Sequence, residues 1–119
     1  MATFSKELLS GSTNGRAIVV AADATPGTLV HTASATAGVI DEVWLYASNK
    51  STDEQALRIE FGDAAALENI VVALPAIAQP ALVVVIPGVP LTGGLEVRAF
   101  STDANEVAII GYVNRITPA

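Results

Sequence analysis

A chain of 119 residues is the length of one domain, and a single core can form at that length without metal or disulfide support. Cysteine is absent, which excludes disulfides, thiolate ligands and thiol nucleophiles. Hydrophobic residues make up 51% and charged residues 15%, below the roughly 25% usual in soluble domains, and twelve acidic against six basic side chains give a net charge of −6.

These numbers narrow the function classes. Lys6, Arg16, Lys50, Arg58, Arg98 and Arg115 are scattered and form no run, so the footprint for phosphate neutralisation is missing and no direct nucleic-acid binding is expected. Apolar runs such as ALVVVI, closed by Pro87, fall far short of the roughly 20 residues of a membrane helix, so no membrane partner is expected. The opening MATFSKELLSGSTNG has neither the basic start nor the apolar stretch of an export signal. The apolar excess therefore belongs in a core and in a protein interface.

The N-terminal segment, residues 1–15, reads either as one helical turn that brings Phe4, Leu8 and Leu9 to one face or as an extended arm that docks on something. Gly11, Ser12, Asn14 and Gly15 break it, and residues 16–119 form the single domain. RAIVVAA is predicted as a strand, ATPG as a turn centred on Pro26 and Gly27, and TLVHTA as the return strand. The clearest strand is VIDEVWLYASN, with Val39, Asp41, Val43, Leu45 and Ala47 on one face and Glu42, Trp44, Tyr46 and Ser48 on the other.

After the polar loop NKSTDE, QALRIEFG alternates Gln55, Leu57, Ile59 and Phe61 with a wet face of Ala56, Arg58 and Glu60. DAAALEN is either a helical turn capped by Asp63 or a plain connection. IVVALP and ALVVVIP are β-branched runs whose prolines, Pro75 and Pro87, are predicted to mark strand ends. GVPLTGG reads as a connector. LEVRAFST then places Leu95, Val97 and Ala99 opposite Glu96, Arg98 and Phe100. The last strand, NEVAIIGYVNRI, is apolar on both faces: Ala108, Ile110, Tyr112 and Ile116 on one, Val107, Ile109 and Val113 on the other. Such a strand is central in its sheet or covered by a neighbouring subunit, and Gly111 within it implies a bulge or a close backbone approach. About eight strands without a long helix predict an all-β antiparallel sandwich of jelly-roll type.

No constellation selects a catalytic, metal or cofactor site. His31 is the one histidine, on a predicted strand with no partner specified by the sequence. Asp41 and Glu42 point to opposite faces of their strand, and Asp53 and Glu54 read as solvated loop charges. GSTNG lacks the lysine of a phosphate loop, and there is no G-x-S-x-G elbow. The informative pair is Trp44 and Tyr46, which share the face that a two-layer sandwich leaves outside. That face is covered within the chain, or it meets another subunit, or Trp44 serves as a carbohydrate platform. Arg98, flanked by core-facing residues, is free to pair across an interface or is simply exposed on the single chain with little energetic role.

The segments DEVWLYASNKSTDEQALRIEFG, ALVVVIPGVPLTGG, LEVRAF and NEVAIIGYVNRI together resemble small β-rich virion proteins of tailed bacteriophages, of the capsid cement or head-decoration type. The resemblance spans about Asp41 to Ile116. It implies a jelly-roll-like sandwich, made in the host cytoplasm, that forms a homotrimer on the capsid surface and binds between major capsid subunits. It further implies an N-terminal arm in interface contacts, through Phe4, Leu8 and Leu9. Trp44, Tyr46, Arg98, Phe100 and Tyr112 complete the expected interface set. The alternative setting is a tail- or fibre-associated adaptor or a carbohydrate- or receptor-binding module.

Overall fold

Alternating side chains organise about half of the chain into strands in the computed structural model, which describes Met1–Ala119. The strands are β1 (Thr3–Leu8), β2 (Ile18–Val19), β3 (Thr28–Thr32), β4 (Ile40–Asn49), β5 (Gln55–Phe61), β6 (Ile70–Leu74), β7 (Val83–Leu91), β8 (Glu96–Ser101) and β9 (Val107–Thr117). Every pairing is antiparallel. The larger sheet runs β1-β9-β4-β7, with β2 also on β9, and the smaller runs β3-β8-β5-β6. The orders β2-β9-β4-β7 and β3-β8-β5-β6 are those of a jelly roll, to which β1 adds a further strand. The expected all-β sandwich is the observed fold.

The core lies between the sheets. Val43, Leu45 and Ala47 of β4 and Ile109 and Val113 of β9 are fully buried against Leu57 and Ile59 of β5 and Val97 and Ala99 of β8. Burying each Leu or Ile contributes about 2 kcal/mol, most of which is offset by chain entropy. The face assignments for β4 and β9 hold, and the ten-residue register between them is unbroken. Gly111, opposite Leu45, explains why: a Cβ there would run into the carbonyl of Trp44, so the glycine marks a close approach and not a bulge.

Several predicted boundaries are corrected. RAIVVAA forms only the two-residue β2, because β1 occupies the same edge of β9 from Tyr112 onward. TLVHT does not return beside it; β3 crosses to pair with β8 in the other sheet. Pro87 lies inside β7, which extends through most of GVPLTGG to Leu91. The strand tolerates Pro87 and Pro90 because it is an edge, and it absorbs two register shifts against β4. DAAALEN holds a short 3₁₀ turn, Ala66–Glu68, with Asp63 accepting a hydrogen bond from the Ala65 amide just before it. Of the two readings of the N-terminal segment the extended one is observed, and it pairs with β9 from Thr3 to Leu8. Glu60 is buried, not wet, because Thr25 and Gly27 fold over it and donate to its carboxylate. Leu95 precedes β8 and is exposed.

A buried polar cluster closes one end of the core. Asp41 is wholly buried and accepts from Arg115 at 2.8 and 3.0 Å, from the Ser34 amide at 3.2 Å and from His31 Nε2 at 2.9 Å. The Ser10 amide donates to His31 Nδ1 at 3.0 Å, which leaves the ring proton on Nε2, facing Asp41. Burial pushes the Asp41 carboxyl up, but hydrogen bonds from Arg115 and His31, the Arg115 charge and the Ser34 amide outweigh it and hold the group below the usual carboxylate range.

Two outcomes follow. Gly111→Val is expected to lower unfolding free energy by about 3 kcal/mol in urea titrations, since the backbone contact leaves no room to repack. Asp41→Asn is expected to cost about 3 kcal/mol near neutral pH, because it leaves Arg115 without its buried partner. A carboxylate held low in the folded state adds stability above its unfolded value of about 3.9 and loses it as pH falls through the folded value. The gap between wild type and Asp41→Asn should therefore shrink below about pH 4, as read by denaturant melts from pH 7 to pH 2.5.

Candidate functional site

The outer face of the large sheet is where the chain leaves its apolar residues unpartnered. Side chains at i and i+2 share a face, so Trp44 and Tyr46 of β4 and Ile110, Tyr112 and Ile116 of β9 all point away from the core. Cross-strand register brings Leu8 beside Tyr112 and Phe4 beside Ile116 on one side. On the other side, Val84 lies beside Tyr46 and Pro87 beside Trp44. Phe4 is 71% exposed, Leu8 59%, Val84 50% and Ile110 39%. One row therefore reads Leu8, Tyr112, Trp44, Pro87 across four strands.

Aromatic packing sets the centre of this face. Trp44 and Tyr112 stack with centroids 6.3 Å apart and planes inclined by 14°. The Lys6 ammonium sits 4.7 Å from the Tyr112 ring centre, a cation–π contact of about 0.5–1 kcal/mol at an exposed site. The indole lies against Gly88, whose φ of 73° and lack of a Cβ allow that approach; an added Cβ would stand 2.7 Å from the ring. Trp44 Nε1 is buried there without a hydrogen-bond partner. Two glycines, Gly88 and Gly111, thus hold Trp44 in place from β7 and β9. Lys6 and Glu42 are the charged residues in the next row, on either side of Asn114.

Of the residues singled out in the sequence, Phe4, Leu8, Trp44, Tyr46 and Tyr112 are brought together here. Leu9 is not: it is buried in the core at 2% exposure, and an interface role for it is corrected. Arg98 and Phe100 lie on β8, on the outside of the smaller sheet. Arg98 is already engaged, donating to Glu96 and to the Gly27 carbonyl at 3.1 Å each, and Phe100 is half-buried beside Arg58 of β5. Ile110, assigned from the sequence to the face of Tyr112, and Val84, assigned to no face, also belong here. Ile110 was legible from its parity with Tyr112; Val84 was not, because an unbroken VVVI run carries no alternation.

The other chemically interesting groups are committed inside the fold. Both ring nitrogens of His31 are hydrogen-bonded, and Asp41 and Glu42 lie on opposite faces of β4. A cleft of about 280 Å³ is lined by Pro26, Glu60, Asp63, Glu96 and Arg98, with Glu60 held by the Thr25–Gly27 loop and Arg98 by Glu96. GSTNG is a turn in which Ser12 Oγ donates to the Leu9 carbonyl and accepts from the Gly15 amide. No family model matches the chain, and no curated protein or solved structure matches it.

The outer face of the large sheet thus carries an apolar band across four strands. Because Val84 and Ile110 pack on nothing above them, Val84→Lys combined with Ile110→Lys is expected to change unfolding free energy by no more than about 1 kcal/mol, read by urea denaturation.

Proposed function

We propose that the chain is a non-catalytic structural protein of a phage particle, which seats the outer face of its large sheet on the capsid exterior and joins adjacent major capsid subunits. The observation that carries this reading is the apolar band on the outer face, in which Phe4, Leu8, Val84 and Ile110 are exposed around the half-buried Trp44. The resemblance of Asp41–Ile116 to capsid cement proteins supplies the setting. A jelly roll is at home in viral shells, although the fold alone defines no function.

In this reading, docking buries the exposed Phe, Leu, Val and Ile side chains at about 1–2 kcal/mol each before the cost of association. Contacts this modest become persistent when each copy bridges neighbouring subunits of a lattice, since the second contact is intramolecular. The rigid Trp44–Tyr112 stack suits the centre of such an interface, because it is ordered before binding. The net charge of −6 disfavours contact with packaged nucleic acid. A sugar-binding module on a tail or fibre is the competing reading; the Trp44 indole nitrogen is buried and offers a glycan no donor.

The test uses heads assembled without this protein. Adding wild-type chain is expected to raise the temperature at which filled heads rupture, and the Val84→Lys/Ile110→Lys variant to leave it unchanged. An unaltered rupture temperature with saturating wild type would sink the capsid role, and a glycan-array signal that depends on Trp44 would replace it with the sugar-binding one.

A further inference from the structure

Four sheet edges end this sandwich, and three of them are defended. On the edge formed by β1, Lys6 and Glu7 place charge, and Glu7 faces Arg115. The β7 edge carries Pro87 and Pro90. Along β3, the Ser10–Gly11 segment covers the edge: the Gly11 amide donates to the Val30 carbonyl, and Ser10 Oγ accepts from the Thr32 amide. Charge, proline and covering chain are the usual means of blocking unwanted strand addition.

The fourth edge, β6, has none of these. Its sequence is IVVAL, without charge or proline, and the backbone of Ile70–Ala73 makes no hydrogen bond beyond the ladder with β5. Val71 is 52% exposed. Two further apolar residues lie unpartnered beside it: Leu67, fully exposed just before the strand, and Ile77, half-exposed just after it. They stand equally far from Val72 along the chain.

We infer that β6 pairs antiparallel with β6 of a second copy of this chain, about a twofold axis at Val72, joining two four-stranded sheets into one continuous sheet. The register follows from the sequence. With Val72 opposite itself, Ile70 meets Leu74 and Val71 meets Ala73 of the other copy. Core-side residues thereby meet core-side residues and outward ones meet outward ones, as a shared pleat requires. Leu67 and Ile77, exposed in the 3₁₀ turn before β6 and the turn after it, flank the paired strands. Because IVVAL is uncharged, no acid of β6 meets its own copy despite the net charge of −6. A second copy therefore satisfies both the length and the lack of charge of this edge. A twofold contact replaces the threefold association implied by the resemblance to cement proteins.

Sedimentation velocity across micromolar to millimolar concentration tests this directly. A discrete dimer is expected, and Val71→Lys with Ala73→Lys, which sets lysines opposite one another on the exposed side, should weaken it at least tenfold while leaving the circular dichroism unchanged. Val72→Cys, the one cysteine in such a chain, should yield a disulfide-linked dimer on oxidation. A monomer at all concentrations, a trimer, an open-ended polymer, or a dimer indifferent to the lysines would each overturn the inference. The capsid reading stands apart from it: Val84→Lys/Ile110→Lys should abolish head stabilisation and keep the dimer, and loss of the dimer in that variant would also count against β6.

Discussion

A sandwich of two sheets has four faces and buries only two of them, so every strand that is apolar on both sides creates a surface the fold cannot cover by itself. In this chain the constraint falls on β4 and β9, which occupy the middle of the larger sheet and pair over ten residues. Their inward side chains make the core. Their outward ones, Trp44 and Tyr46 with Ile110, Tyr112 and Ile116, form a second apolar layer outside the core. The placement of the edge strands, the glycines and the N-terminal segment can all be related to that layer.

The buried polar cluster is one such relation. Asp41 and Arg115 sit at the end of β4 and β9, and through them the cluster reaches His31 on β3 and the Ser10 amide beyond β1. Glu7 of β1 approaches Arg115 at 3.8 Å. These contacts fix where β1 lies along β9, and β1 carries Phe4 and Leu8 onto the outer face. A residue set with the look of catalytic chemistry thus serves to position the strand that carries Phe4 and Leu8. Isolated buried charges are costly, and the full hydrogen bonding of Asp41 is what makes this arrangement stable.

Much of this was legible in the sequence because period two survives wherever one face of a strand is wet or the two faces differ. The alternation in DEVWLYAS gave the faces of β4 directly, and Gly111 pointed to a bulge or a close approach, of which the structure shows the second. The failures have a common cause: they concern which strand neighbours which, a property of the whole chain. β2 is short because β1 takes the rest of its edge, Pro87 is internal because β7 is an edge strand, and Leu9 turns inward where β1 ends. Glu60 is buried by a loop remote in sequence, and no local pattern could have shown it. Of the surface itself, the aromatic centre was readable and Val84 was not, since a uniform run hides its parity.

Trp44 is the one tryptophan of the chain and lies at the centre of the outer face, so its fluorescence reports on that face alone. The most direct measurement is its emission and iodide quenching in the free protein and after mixing with undecorated heads, with the heads' own tryptophans replaced by phenylalanine or subtracted. Docking through the outer face should shift the emission to the blue and protect the indole from iodide. Binding to heads with emission and quenching both unchanged would contradict the account, because the chain would then be using some other surface.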